Sequence, residues 1–146
     1  MPILEAKNVF YSYESRRGGA DILKDVSCAF ERGKVYVLVG RSGSGKSTLI
    51  SLLSGQDVPR AGAVLYEGVS TAEMDRDAYR RESVAVIYQN FSLFPLLTVV
   101  ENIMYPMELC GVRGDEAQKK AVALAARVGL PDELFRRFPG RISGGE

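Results

Sequence analysis

The stretch Gly40-Arg41-Ser42-Gly43-Ser44-Gly45-Lys46-Ser47-Thr48 constrains this chain more than any other, because it fits the pattern G-x-x-x-x-G-K-[ST] between a strand-like run and a helix-like run. Upstream, Val35-Tyr36-Val37-Leu38-Val39 is almost wholly apolar and β-branched, the composition of a strand buried on both faces of a parallel sheet. Downstream, Leu49, Leu52 and Leu53 recur at helical spacing, and Gly55 stands where a helix would end on a left-handed residue. The glycines let the backbone bend until several N–H groups face one anion, and the helix start adds about half a positive charge. In such a phosphate-binding loop Lys46 reaches the β- and γ-phosphates of a nucleotide and the Ser47 hydroxyl ligates Mg²⁺. The competing reading, a Gly/Ser-rich turn that binds nothing, has to treat the flanking strand and helix as coincidence.

The totals narrow the function classes. A chain of 146 residues is long enough for one domain with a real core. Lys plus Arg number 19 against 18 Asp plus Glu, so no strong global field recruits nucleic acid or anionic lipid. No apolar run approaches the roughly 18 residues of a membrane span, and Met1-Pro2-Ile3-Leu4-Glu5-Ala6-Lys7 is not a signal peptide, so a cytoplasmic protein is expected. There is no histidine, which removes His-dependent mechanisms and most metal sites. Of the two cysteines, Cys28 alternates with Val26 and Phe30 and reads as a buried reduced thiol.

Along the chain, residues 3–10 read as an edge strand, followed by Tyr11-Ser12-Tyr13 and a polar, charged loop at 14–21. Residues 22–30 read as a second strand, paired antiparallel with 35–39 or a near neighbour after the turn Glu31-Arg32-Gly33-Lys34. Beyond the loop helix come a turn at 56–62, a short strand at 63–66 closed by Glu67-Gly68, a polar helix at 75–82 and a second buried-type strand at 83–88 ending at Gln89. The character then changes, which predicts a nucleotide-binding core over 1–89 and a helical part over 90–146. Thr98-x-x-Glu101 is a capping box opening a helix through about Cys110, bent or shortened by Pro106. Asp115 caps a further helix with Ala117, Ala121, Val122, Leu124, Ala125 and Val128 on one stripe, stopped by Gly129, and Pro131 opens a short helix through about Phe138.

With the closing residues Ile142-Ser143-Gly144-Gly145-Glu146 the chain resembles, from end to end, the ATP-binding subunit of an ABC transporter, whose signature is usually L-S-G-G-Q. The two departures are Ile for Leu and Glu for Gln. The fold implied is α/β: a P-loop nucleoside triphosphatase core, here incomplete, with an antiparallel β part and an α-helical subdomain. The resemblance implies that Ser143, Gly144 and Gly145 approach the γ-phosphate held by a second ATP-binding subunit. It further implies that Gln89 completes the Mg²⁺ shell, and that Tyr13 stacks on adenine, with Tyr11 the fallback. The cofactors implied are ATP and Mg²⁺, and the implied partners are a membrane-spanning permease and a second copy; nucleic acid is not among them. The location implied is the inner face of the cell membrane. A small GTPase is disfavoured because no N-K-x-D motif is present.

The segment from Tyr88 to Asn102 is most similar to the branch that powers lipoprotein release, macrolide efflux and peptide-antibiotic export. Its Phe91, Leu93, Phe94, Leu96 and Leu97 form an apolar loop, either a partner-binding surface or core beneath the helical part. A complete member of the family continues to a strand ending in Asp-Glu and to a switch histidine. The resemblance therefore leads us to expect a partial cassette, with no catalytic carboxylate of its own, that binds ATP without turning it over and whose apolar strands at 35–39 and 84–88 present unpaired edges, leaving the chain poorly soluble, domain-swapped or completed by another copy. A soluble ABC-type ATPase and a regulatory nucleotide-binding module are the alternatives.

Overall fold

Residues 1–13 and 21–146 are described by the computed structural model; the charged loop expected at 14–21 lies, apart from Asp21, outside the described residues. The chain divides into two compact units, Met1–Val86 and Ile87–Glu146.

In the first unit, β1 (Leu4–Tyr11) lies between β2 (Leu23–Phe30) and β3 (Ala61–Tyr66), and the two-residue β4 (Val69–Ser70) closes an antiparallel sheet of order β2-β1-β3-β4. So β1 is interior, not the edge strand its loose alternation predicts. The reason is a bulge: the register to β2 shifts between Ala6 and Val9, and the register to β3 shifts between Lys7 and Phe10. One extra residue moves Val9 and Tyr11 onto the same buried face as Ala6, although a regular period of two would put Val9 opposite it. Asn8, at φ 46°, carries the bulge; its Nδ2 donates to Asp25 Oδ1 at 2.8 Å and its N–H to Ser27 Oγ at 2.8 Å. Gly62 passes so close that a Cβ there would lie 2.1 Å from the Asn8 carbonyl oxygen, so only glycine fits. Glu67 and Gly68, at φ 49° and 84°, make the two-residue hairpin between β3 and β4.

Helix α1 (Lys46–Leu53) covers one face of this sheet. Leu49 and Leu52 join Ala6, Val9, Tyr11, Leu23 and Val64 in the core, with Leu4, Val26, Cys28 and Leu53 at its margin. Removing a side chain such as Leu52 from water stabilises by about 2 kcal/mol. The helix ends as its glycine predicts: the Gly55 N–H donates to Leu52 O at 3.1 Å and the Gln56 N–H to Ser51 O at 3.0 Å, with Gly55 at φ 70°. Helix α2 (Arg76–Glu82) is capped by Asp75, whose carboxylate accepts from the Asp77 and Ala78 N–H groups and is thereby held below the usual range. It seats on the end of α1, where the Tyr79 hydroxyl donates to Leu53 O at 2.8 Å and Arg80 Nη1 to Gly55 O at 2.6 Å.

Two expected strands are not strands. Residues 35–39 and 84–88 make no ladder hydrogen bonds, and β2, expected to pair near 35–39, pairs with β1 instead. Val35, Val37 and Val39 are 94%, 81% and 81% exposed and Ile87 is 96% exposed. A two-sided buried strand needs neighbours along both edges, and among the described residues none pairs with either segment.

In the second unit, α3 (Val99–Leu109) and α4 (Gly114–Arg127) pack through Val100, Ala121, Ala125 and Phe135, with Ile103, Met104, Met107 and Leu130 around them. Thr98 and Glu101 form the predicted capping box. The next donors of α3 are met from the far end of the unit, Val99 N–H by Arg137 O at 2.9 Å and Val100 N–H by Phe135 O at 3.1 Å. Pro106 lies inside α3 and the helix continues past it to Cys110. In α4 the N-cap is Arg113, with Asp115 in the first turn, and only Ala117, Ala121 and Ala125 are buried. Val122, Leu124 and Val128, expected on the buried stripe, are exposed. Periodicity identifies the apolar side of a helix, but not how far along it an opposing element reaches. Gly129 ends α4 as predicted, its N–H donating to Ala126 O at 3.0 Å while the Leu130 N–H donates to Ala125 O at 3.1 Å. The helix expected from Pro131 is one 3₁₀ turn, Asp132–Leu134, with Pro131 as its cap.

Candidate nucleotide-binding site

The loop at residues 40–48 is shaped by two left-handed glycines, Gly43 at φ 77° and Gly45 at φ 86°. A Cβ on Gly45 would stand 2.7 Å from Leu23 Cδ2 and 3.3 Å from the Ile22 carbonyl oxygen. The loop thus sits directly on the start of β2. Gly45 is also the N-cap of α1 and offers no side-chain acceptor, and no acidic residue occupies the first turn. The first N–H groups of the helix and its positive end are therefore uncompensated by the protein.

Lys46 Nζ folds back over the loop and donates to Gly40 O at 2.9 Å and Arg41 O at 2.7 Å. Of its three protons at most one is left. A cavity of about 470 Å³ is lined by Ile22, Ser42, Gly43, Gly45, Lys46, Ser47 and Thr48. Ser44 closes a tight turn, its N–H to Arg41 O at 3.3 Å. A concavity of backbone donors, one lysine and a helix start suits a polyphosphate, and the exposed Ser47 hydroxyl is one of three on its wall, with those of Ser42 and Thr48.

Tyr13 is 55% exposed beside this cavity, its hydroxyl 3.4 Å from Thr48 Oγ1. Tyr11 is buried in the core and hydrogen-bonded to Asp57, so its ring is not open to a ligand. Motif reading singled out neither Ile22, which lines the cavity, nor Asp57. Both lie outside the phosphate-loop pattern, and only the pairing of β1 with β2 brings Ile22 to the site.

In the second unit, Gln89 and Asn90 form the exposed corner of a turn closed by the Phe91 N–H to Tyr88 O at 3.1 Å. Phe91 and Ser92 then take left-handed φ values of 55° and 50°. Of the apolar loop, Phe91, Leu93, Phe94 and Leu96 are exposed, so it is not core beneath the helices. Asn102, to which the sequence assigned no role, fixes this loop. Its Oδ1 accepts from the Phe94 N–H at 2.8 Å and its Nδ2 faces the carbonyls of Phe94, Leu97 and Thr98 at 3.1, 3.0 and 2.9 Å. Ser143, Gly144 and Gly145 lie in a terminal turn in which the Glu146 N–H donates to Ser143 O at 3.1 Å and the Ser143 N–H to Glu146 Oε2 at 2.7 Å. Those bonds hold the Glu146 carboxyl below its ordinary range. A Cβ on Gly144 would lie 3.9 Å from the Phe91 ring, which brings the signature turn beside the loop that follows Gln89.

The sequence profile of the family described as ABC transporter matches residues 23–146. An uncharacterised ABC transporter ATP-binding protein of Mycobacterium tuberculosis is 38% identical over 99% of this chain and 59% of its own length. The methionine import ATP-binding protein MetN 2 of Lactiplantibacillus plantarum is 36% identical over 99% of this chain and 42% of its own length. The glycine betaine/proline betaine transport system ATP-binding protein ProV of Escherichia coli is 39% identical over 84% of this chain. The chain thus spans about half the length of the curated relatives it matches. A dimeric structure of a post-hydrolysis state of the ATP-binding cassette MJ0796, bound to ADP and Pi, superposes with a TM-score of 0.86 at 30% identity, covering 97% of this chain and 64% of that one. The fold is that of an α/β ATP-binding cassette, and the chain belongs to the family of ABC transporter ATP-binding proteins.

Proposed function

We propose that residues 40–48 hold Mg-ATP on behalf of a membrane transporter. The observation that carries this reading is the uncapped start of α1 behind two left-handed glycines, with the Lys46 ammonium already held over the loop. Backbone donors from Gly43 to Thr48 bind the β- and γ-phosphates, with Gly40, Ser42, Ser44 and Gly45 shaping the loop around them. Lys46 exchanges a carbonyl for a phosphate oxygen. Ser47 contributes a ligand to Mg²⁺, which neutralises phosphate charge, and Gln89 contributes another. Tyr13 stacks on the base. Ser143, Gly144 and Gly145 serve the nucleotide of a second ATP-binding subunit.

The domain reading that goes with this is a nucleotide-binding core over 1–89 and a helical part over 90–146. Among the described residues no helix is long and apolar enough to cross a membrane, and the family resemblance assigns the transport path to a membrane-spanning permease partner. That partner is a permease docked from the cytoplasmic side, on the exposed loop that Asn102 braces. The segment from Tyr88 to Asn102 supports an export system of the lipoprotein-release or macrolide-efflux kind. The names of MetN 2 and ProV, an import and a transport-system protein, favour import as the second reading.

The apolar run here that ends in an acid, Ala63 to Glu67, turns at once through Gly68 into β4 and lies too near the phosphate loop to orient the attacking water, so these 146 residues are read as binding ATP without hydrolysing it. Equilibrium dialysis with labelled ATP, run beside a phosphate-release assay, tests this. Binding without release is expected; Lys46-dependent release would contradict the no-turnover reading, and no binding would contradict the whole.

A further inference from the structure

Tyr13 does not hold its position alone. Its ring meets that of Tyr11 edge to face, with centroids 5.2 Å apart and planes at 89°, while its hydroxyl reaches Thr48 in the first turn of α1. Tyr11 is buried, and a phenol so placed must find an acceptor. It finds the Oδ2 of Asp57, in the segment following α1, whose Oδ1 accepts from the Val58 N–H at 2.9 Å. Asp57 and burial together push the Tyr11 phenol up to about 12, so it remains a donor through neutral and alkaline pH. The Tyr11 backbone is fixed as well: its carbonyl accepts from the Ile22 N–H at 2.8 Å and it pairs with Leu23, the residue beneath Gly45. Tyr11 is thereby tied to both ends of the phosphate-loop helix, through Leu23 at its start and Asp57 beyond its end.

We propose that Tyr11, anchored by Asp57, is a positioning residue that presets the Tyr13 ring for stacking on the nucleotide base. This rests on the reading of Tyr13 as the base-stacking residue. An aromatic ring held in place before the ligand arrives loses less rotamer freedom on binding, so the gain falls on ligands that carry a base and not on bare polyphosphate.

The test compares the full chain with Tyr11→Phe, Asp57→Ala, Asp57→Asn and Tyr13→Ala. Dissociation constants are measured for Mg-ATP and for magnesium tripolyphosphate, and melting temperature is followed alongside. Tyr11→Phe and Asp57→Ala are expected to weaken ATP by about three- to tenfold, the worth of one hydrogen bond, and to leave tripolyphosphate unchanged. Asp57→Asn keeps an acceptor and is expected to retain most of the ATP affinity. If both ligands weaken equally, or if only the melting temperature falls, the positioning role is overturned. If Tyr13→Ala lowers the ratio of ATP to tripolyphosphate affinity while Tyr11→Phe does not, the positioning role alone fails. If Tyr13→Ala leaves that ratio unchanged, the stacking reading fails and the positioning role with it.

Discussion

The Lys46 ammonium lies 2.9 Å from the carbonyl oxygen of Gly40, six residues back along the same loop. With the Arg41 carbonyl at 2.7 Å, that contact draws the loop around its own cation. The charge is thus already among the groups that line the cavity, and on the proposed reading a phosphate oxygen would replace a neutral carbonyl as its partner.

Gly45→Ala should damage both stability and binding. The residue sits at φ 86°, and an added Cβ would lie 2.7 Å from Leu23 Cδ2, so strain of about 1–3 kcal/mol is expected. Urea denaturation should report that loss, and nucleotide titration a much weakened complex. Unchanged denaturation would mean that the loop does not rest on β2.

Thr98→Ala should destabilise the helical unit by about 1 kcal/mol, because it removes the acceptor of the Glu101 N–H. The Thr98 hydroxyl and N–H also hold the Glu101 carboxyl below its ordinary 4.5. A depressed carboxylate adds stability that is fully present above its unfolded value and is lost as pH falls through the lower folded value. Acid titration of the wild type below pH 4.5 should therefore erode stability more steeply than in Thr98→Ala. Parallel curves would contradict the capping role.

The two thiols should react in sequence. Cys110 is exposed at the end of α3, whereas Cys28 is half-buried against the core and its thiol is pushed up by desolvation. Brief iodoacetamide treatment followed by peptide mass analysis should find Cys110 modified first and Cys28 only on unfolding. Equal labelling would mean that β2 opens readily.

The exposed apolar segments at 35–39 and 84–88 should drive association. Size-exclusion chromatography with light scattering is expected to show oligomers at micromolar concentration. A stable, well-folded monomer would contradict this expectation.

How much of this was legible in the sequence depends on how local the cause is. Gly55 and Gly129 end their helices, Thr98 and Glu101 cap theirs, and the phosphate loop takes its shape, all from residues within a few positions of one another. Strand pairing is not local. The β-branched runs at 35–39 and 84–88 carry the composition of buried strands, but composition cannot supply the neighbours that make a strand. The bulge at Asn8 was hidden for a similar reason, since it requires Gly62 of β3 to pass against its carbonyl. The Tyr11–Asp57 pair joins positions 46 residues apart and has no motif to announce it.

The most direct test of the central claim, that residues 40–48 grip the phosphates of ATP, is isothermal titration calorimetry of the folded chain with Mg-ATP, beside Lys46→Ala. The account predicts saturable heat at one site that disappears in the variant while its melting temperature is preserved. No heat from a demonstrably folded wild type, or equal binding by Lys46→Ala, would contradict it.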